Sequence, residues 1–114
     1  MAIKHQRDEL TTPRGLLAAL QRVFPEFGDD ELIRNVESGE GNLHTVMTEF
    51  RGSFRSEECT SRQLTDFTVL LAECVAEQDL LENAVGTCFL EALGRKDPLW
   101  KLLPPKVKAY IRAH

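Results

Sequence analysis

Any chemistry in this 114-residue chain would have to come from three histidines, three cysteines and a large store of carboxylates. His5, His44 and His114 are far apart, two of them near the chain ends, so they do not form a spaced metal or acid–base pair. No Gly-x-Ser-x-Gly elbow, His-Glu-x-x-His pair or glycine-rich lysine loop occurs. Gly39 and Gly41 flank a glutamate and do not open a helix onto a phosphate. Cys59, Cys74 and Cys88 make an odd count at wide spacing, with no Cys-x-x-Cys, which argues against a zinc site. Cys74 and Cys88 fall on apolar helical faces, where a free cysteine behaves as a small hydrophobe. Cys59 follows Glu57 and Glu58, whose charge raises a thiol pKa and makes a poor nucleophile. Catalysis needs a convergent base and nucleophile. The expectation is therefore a non-enzyme with no metal and no cofactor.

The carboxylates are more informative. A formal net charge of −4 hides a strong asymmetry. From Glu26 to Glu82 there are 14 acidic and 4 basic residues, and from Arg95 to His114 there are 6 basic and 1 acidic. Asp66, Val69 and Glu73 share the side of one helix away from its core positions, with Glu77 at the border. Glu57 and Glu58 precede that helix, and Glu37 and Glu40 crown an earlier turn. These eight are the candidate partner-binding residues. Two explanations stay open: the carboxylates keep a small protein in solution, or they form a surface that meets a basic partner. In the second case, charge steers the encounter and a few apolar anchors hold the complex.

The basic tail, Arg95, Lys96, Lys101, Lys106, Lys108 and Arg112, invites a nucleic-acid reading. It lacks a basic recognition helix with interleaved aromatics, and the chain as a whole is acidic. Cations that complement helix C-termini are the simpler expectation. Trp100, in a proline-bounded segment amid lysines, is expected to lie as a lid over the core.

The elements that must position these residues read as helices throughout, with no strand alternation and no hairpin turn. Asp79–Leu93 is the most apolar stretch: Leu81, Ala84, Val85, Cys88 and Ala92 recur at spacings of three and four. Leu80, Phe89 and Leu93 widen that stripe, and Leu90 falls opposite. A helix apolar nearly all round has to be covered on several faces, so 79–94 is predicted as the central helix, ended by Gly94 and Pro98. Residues 1–11 are expected to be a loose arm or a short helix. Thr12-Pro13 starts an amphipathic helix that Pro25 ends, and Gly28-Asp29-Asp30-Glu31 opens a second. Asn42 caps a third, running to about Phe50 or Phe54, before a loop at Arg51–Glu58. Thr60 or Ser61 caps a fourth, running to about Gln78. A short apolar turn at Leu99–Leu103 and a last helix after Pro104-Pro105 complete the chain. The whole is an all-α single domain over 1–114, with six or seven short helices packed as antiparallel hairpins around the central one.

Length and an apolar content of 42% suit one soluble domain. No run approaches the roughly 20 apolar residues that span a bilayer. The first ten residues lack the apolar core of a secretory signal, so a reduced, cytoplasmic protein is expected.

The C-terminal third carries a resemblance. Asn83-Ala-Val-Gly-Thr-Cys-Phe-Leu-Glu91, then the Leu-x-Pro element Leu102-Leu103-Pro104 before an aromatic-bearing last helix with Tyr110, resembles small all-helical bacterial immunity proteins of contact-dependent and polymorphic toxin systems. Related sequences often carry Gly-Pro where this chain has Pro104-Pro105. The resemblance implies an inhibitor that binds a cognate toxin domain, a nuclease in many such systems, and occludes its basic cleft with an acidic surface. No catalytic residue carries over from it, and the charge balance and the lack of a long apolar run leave no nucleic acid and no membrane among the expected partners. A helical adaptor or regulatory interaction module is the alternative expectation from a different class.

Overall fold

The computed structural model describes residues 7–77 and 79–113. Helices α1 (Arg7–Leu10), α2 (Pro13–Val23), α3 (Asp30–Ser38) and α4 (Leu43–Ser53) are followed by a 3-10 turn at Ser56–Glu58. Then come α5 (Ser61–Cys74), α6 (Leu80–Cys88), a second 3-10 turn at Leu90–Ala92, α7 (Pro98–Leu102) and α8 (Pro105–Ala113). The fold is all-α, with no strand among the described residues and eight α-helical segments against the six or seven expected. None of these helices is long and apolar enough to cross a membrane. His5, His114 and Gln78, near which the fourth predicted helix was to end, lie outside the described residues.

Local chemistry sets most helix starts. The Thr12 side chain accepts from Gly15 N at 3.1 Å, and Pro13 takes the first helical position of α2. Asp29 caps α3 at Leu32 N, 2.8 Å, with Asp30 and Glu31 in the first turn against the positive end of the dipole. Asn42 with Thr45, and Thr60 with Gln63, form reciprocal capping boxes at α4 and α5. Asp79 and Asp97 cap α6 and α7. Gly39 ends α3 with φ +86°, a left-handed conformation that glycine adopts without steric cost.

The predicted central helix 79–94 is interrupted. It leaves α-geometry at Phe89, whose φ −129° and ψ −61° turn the chain into the second 3-10 turn. A continuous helix would put Phe89 and Leu90 on different sides, yet both are 0% exposed. The break lets both side chains into the core, where burying a leucine stabilises by about 1.5–3 kcal/mol. Little hydrogen bonding is given up, because Ala92 N donates to Phe89 O at 3.1 Å and Leu93 N to Leu90 O at 3.2 Å. At the other end Leu80 is 72% exposed and takes no part in the stripe.

Helix α6 also shares the centre with α5. Helix α5 packs against α1, α2, α6, α7 and α8, and of its residues only Ser61, Arg62 and Thr65 are exposed. The most extensive pairing joins α4 to α6, which are not consecutive, so the succession of hairpins is only partial. Overall extents of 36 × 30 × 27 Å describe a nearly isometric body.

All six phenylalanines of the chain form one cluster at its heart. Phe24 follows α2, Phe27 lies in the α2–α3 link, Phe50 and Phe54 come from the end of α4, Phe67 from α5 and Phe89 from the break after α6. The Phe50 ring lies 5.1–5.6 Å, centroid to centroid, from each of the other five. These tilted and edge-on arrangements are the ones aromatic quadrupoles favour.

Candidate functional site

The edge of the phenylalanine cluster reaches the surface. A half-open cavity of about 580 Å³ has Phe24, Phe27, Phe50 and Phe54 in its wall, with Glu26 and Glu58 at its margin. Cys59 and Gln63 line it as well. Phe24 is half-buried, whereas Phe27, Phe50 and Phe54 are buried. On the other side of Phe54 and Arg55 lies a more polar cavity of about 380 Å³, lined by Arg51, Ser56, Glu57 and Asp97 among others.

Both cavities depend on how the 3-10 turn at Ser56–Glu58 is held. Ser56 is buried, and its hydroxyl donates to Asp97 Oδ1 in a short hydrogen bond. The same carboxylate oxygen accepts from Leu99 N at 2.9 Å and so caps α7. One aspartate in the basic tail thereby fastens the turn to α7 and fixes where Glu57 and Glu58 emerge. Arg55 crosses the ridge between the cavities. Its Nη1 donates to Phe54 O at 2.7 Å and Gly52 O at 3.2 Å, at the end of α4 where helix carbonyls lack partners.

Gathered there, Glu57, Glu58 and Asp97 act on Cys59. Burial first, then the fields of Glu58, Asp97 and Glu57, push its thiol above the usual 9.0. Its Sγ also donates to Arg55 O at 3.2 Å, a bond that favours the protonated form. The flanking glutamates thus suppress the nucleophile, as the sequence suggests, with burial the larger cause. Alkylation by iodoacetamide should run more slowly at Cys59 than at an unhindered thiol, and its rate should still be climbing through pH 9.0. A plateau reached below that pH, followed by mass spectrometry, would contradict this electrostatic picture.

The candidate acidic residues separate into groups. Glu57 and Glu58 are exposed at the cavities. Asp66, Val69 and Glu73 are half-buried on α5, which has neighbours on most sides. Asp66 pairs with Arg62 at 3.8 Å, with the Asp66 side chain 29% exposed, so part of its charge is answered locally. Glu77 is exposed just beyond α5. Glu37 and Glu40 are exposed at the end of α3 and in the turn after it, and neither cavity contains them. A different acidic trio, Asp29, Glu31 and Glu49, flanks a small groove of about 90 Å³. Glu26 and Asp97 complete the group at the cavities, and helical spacing could not place them there, because they sit outside helices and meet only through tertiary packing.

In the basic tail, Arg95 lies 5.5 Å above the Trp100 ring, a cation–π distance, and Trp100 is half-buried against the core. Lys101 and Arg112 occupy the last turns of α7 and α8, where cations suit the helix dipole. No group of histidine, cysteine and acidic residues fit to hold a metal ion occurs among the described residues. No family model, no curated protein and no solved structure matches the chain.

Proposed function

We propose that this chain is an immunity protein that neutralises a cognate bacterial toxin domain, a nuclease, by seating acidic side chains in its basic active-site cleft. What supports the reading is a single feature of the surface. Glu26 and Glu58 are exposed at the phenylalanine-lined cavity and Glu57 at the more polar one beside it, and none of the three makes an ion pair with the described residues. The nearby cation Arg55 is engaged with the end of α4. Carboxylates left without an ion pair at two adjoining cavities attract a positively charged cleft and occupy positions that phosphates would take. The residues that carry the family resemblance serve the body: Ala84, Val85, Phe89 and Leu90 are buried, and Tyr110 packs on Gly86. Specificity then belongs to the surrounding surface.

Inhibition by occlusion needs no reacting group. The immunity protein binds, excludes substrate and leaves slowly. Its encounter rate depends on charge, and residence depends on apolar anchors. Glu57→Lys with Glu58→Lys should slow association with a basic toxin domain by roughly tenfold at low salt and flatten the salt dependence. Co-expression with the product of the adjacent gene, followed by stopped-flow binding, tests this. Unchanged rates and an unchanged salt slope would remove this surface from the interface; protection of cells against no adjacent product would favour an adaptor.

A further inference from the structure

The 580 Å³ cavity offers an unusual combination of chemistry. Half-buried Phe24, Pro25 and the edges of the buried Phe27, Phe50 and Phe54 line it beside polar side chains, so the larger share of what it presents to an occupant is apolar or weakly quadrupolar. The polar groups around it are largely spent on the protein itself. Gln63 Nε2 donates to Val23 O at 3.1 Å, and its Oε1 accepts from Thr60 N at 2.9 Å. The Cys59 thiol donates to Arg55 O, and Ser53 Oγ donates to Phe50 O at 3.1 Å. Arg55 is held against two carbonyls. What remains for an incoming group is an apolar floor with two carboxylates at the mouth, Glu26 and Glu58, which make no ion pair among the described residues, against one cation, Arg55, tied to the end of α4. The volume falls in the range of roughly 300–1,000 Å³ that ligand pockets occupy.

We infer that this cavity is a socket for one apolar side chain, aromatic or long aliphatic, on a lysine- or arginine-bearing segment of the partner protein. Glu26 and Glu58 hold the cations that flank it. The inference rests on the reading of the protein as the binder of a basic partner, and it names the anchor of that complex. A wholly apolar occupant would leave the two carboxylates to be desolvated without compensation, and an anionic one would be repelled by them. An occupant apolar at its tip and cationic at its base satisfies both parts of the site. Its ring or chain packs on Phe24, and its charge meets the two glutamates. An anchor buried in such a pocket, ringed by polar contacts that exclude water, is the arrangement that carries most of the binding energy at interfaces.

The test uses phenylbutylammonium as probe, with phenylbutyrate and phenylbutanol as anionic and neutral controls of equal size. Binding is followed through the ring resonances of the protein labelled at phenylalanine. The ammonium probe should bind saturably, shift Phe24 and Phe27 most, and bind at least about fivefold more tightly than the carboxylate at low salt. Glu26→Gln with Glu58→Gln, two exposed positions, should bring the two probes to within about twofold of each other. Ser53→Trp, which fills the mouth from an exposed position, should abolish binding and leave the helical circular dichroism intact. Equal binding of all three probes, or shifts centred elsewhere, would overturn the socket. Protection against the adjacent toxin is scored separately. If Ser53→Trp protects as fully as the parent, the socket is wrong and the immunity reading stands. If the ammonium probe behaves as described but the parent protects against no adjacent product, the immunity reading fails and the socket stands.

Discussion

Phe50→Ala is expected to lower the unfolding free energy by about 3–5 kcal/mol, read from urea denaturation at unchanged pH. Phe50 is 1% exposed, and its ring meets every other phenylalanine of the chain. Truncation removes the shared partner of rings that arrive from α2, α4, α5, α6 and the α2–α3 link. The void cannot collapse easily, because those rings are already braced against one another, as in the 5.3 Å contact of Phe67 with Phe89. A domain of this size has only about 5–15 kcal/mol in total, so this variant should lie close to unfolding at physiological temperature. Phe24→Ala is the internal control. Its ring is half-buried at the cavity wall, so the loss should be about half as large. Equal losses at the two positions would mean that the cluster has no centre and that stability is spread evenly across the helices.

That cluster also marks the boundary of what the linear sequence discloses. Thr12, Asn42 and Thr60 act as helix caps because capping is settled within about four residues, and the sequence shows those residues directly. The all-helical class follows in the same way from apolar spacing. The break at Phe89 is invisible to periodicity, since it depends on Phe50, Phe54 and Phe67 waiting on other helices. The same limit applies to the surface. Glu57 and Glu58 stand out as neighbours in sequence, but Glu26 joins Glu58 at one cavity from the α2–α3 link, and Asp97 joins Glu57 at the other from the basic tail. Helical phase puts Asp66 and Glu73 on the side away from Leu64 and Leu71. Phase alone does not reveal that α5 has neighbours on nearly every side, which leaves that face half-buried.

Gly86→Ala tests the packing of the C-terminal helix in a way that separates sterics from helix propensity. A methyl group built on Gly86 would stand 2.6 Å from Tyr110 Cζ and 2.7 Å from Cε1, well inside van der Waals contact. The tyrosine ring lies flush on the backbone of α6, and only a residue without a side chain admits it. The substitution should therefore destabilise by about 1–3 kcal/mol, as overpacked interiors do, by forcing Tyr110 and with it α8 outward. In a Tyr110→Ala background the same change should reverse sign and stabilise by about 0.5–1 kcal/mol, because alanine is the better helix former once the ring is gone. A second signature accompanies the first. Burial, followed by the fields of Glu82 and Glu91, raises the Tyr110 phenol above its ordinary 10.0. Its packing therefore contributes stability that is complete below that pH and is lost as the phenol ionises above it. In Gly86→Ala the displaced phenol should titrate closer to 10.0 by ultraviolet absorbance, and the alkaline loss of stability should shrink. Equal destabilisation in both backgrounds, with an unmoved phenol, would show that the ring does not rest on Gly86 and that α8 docks by another contact.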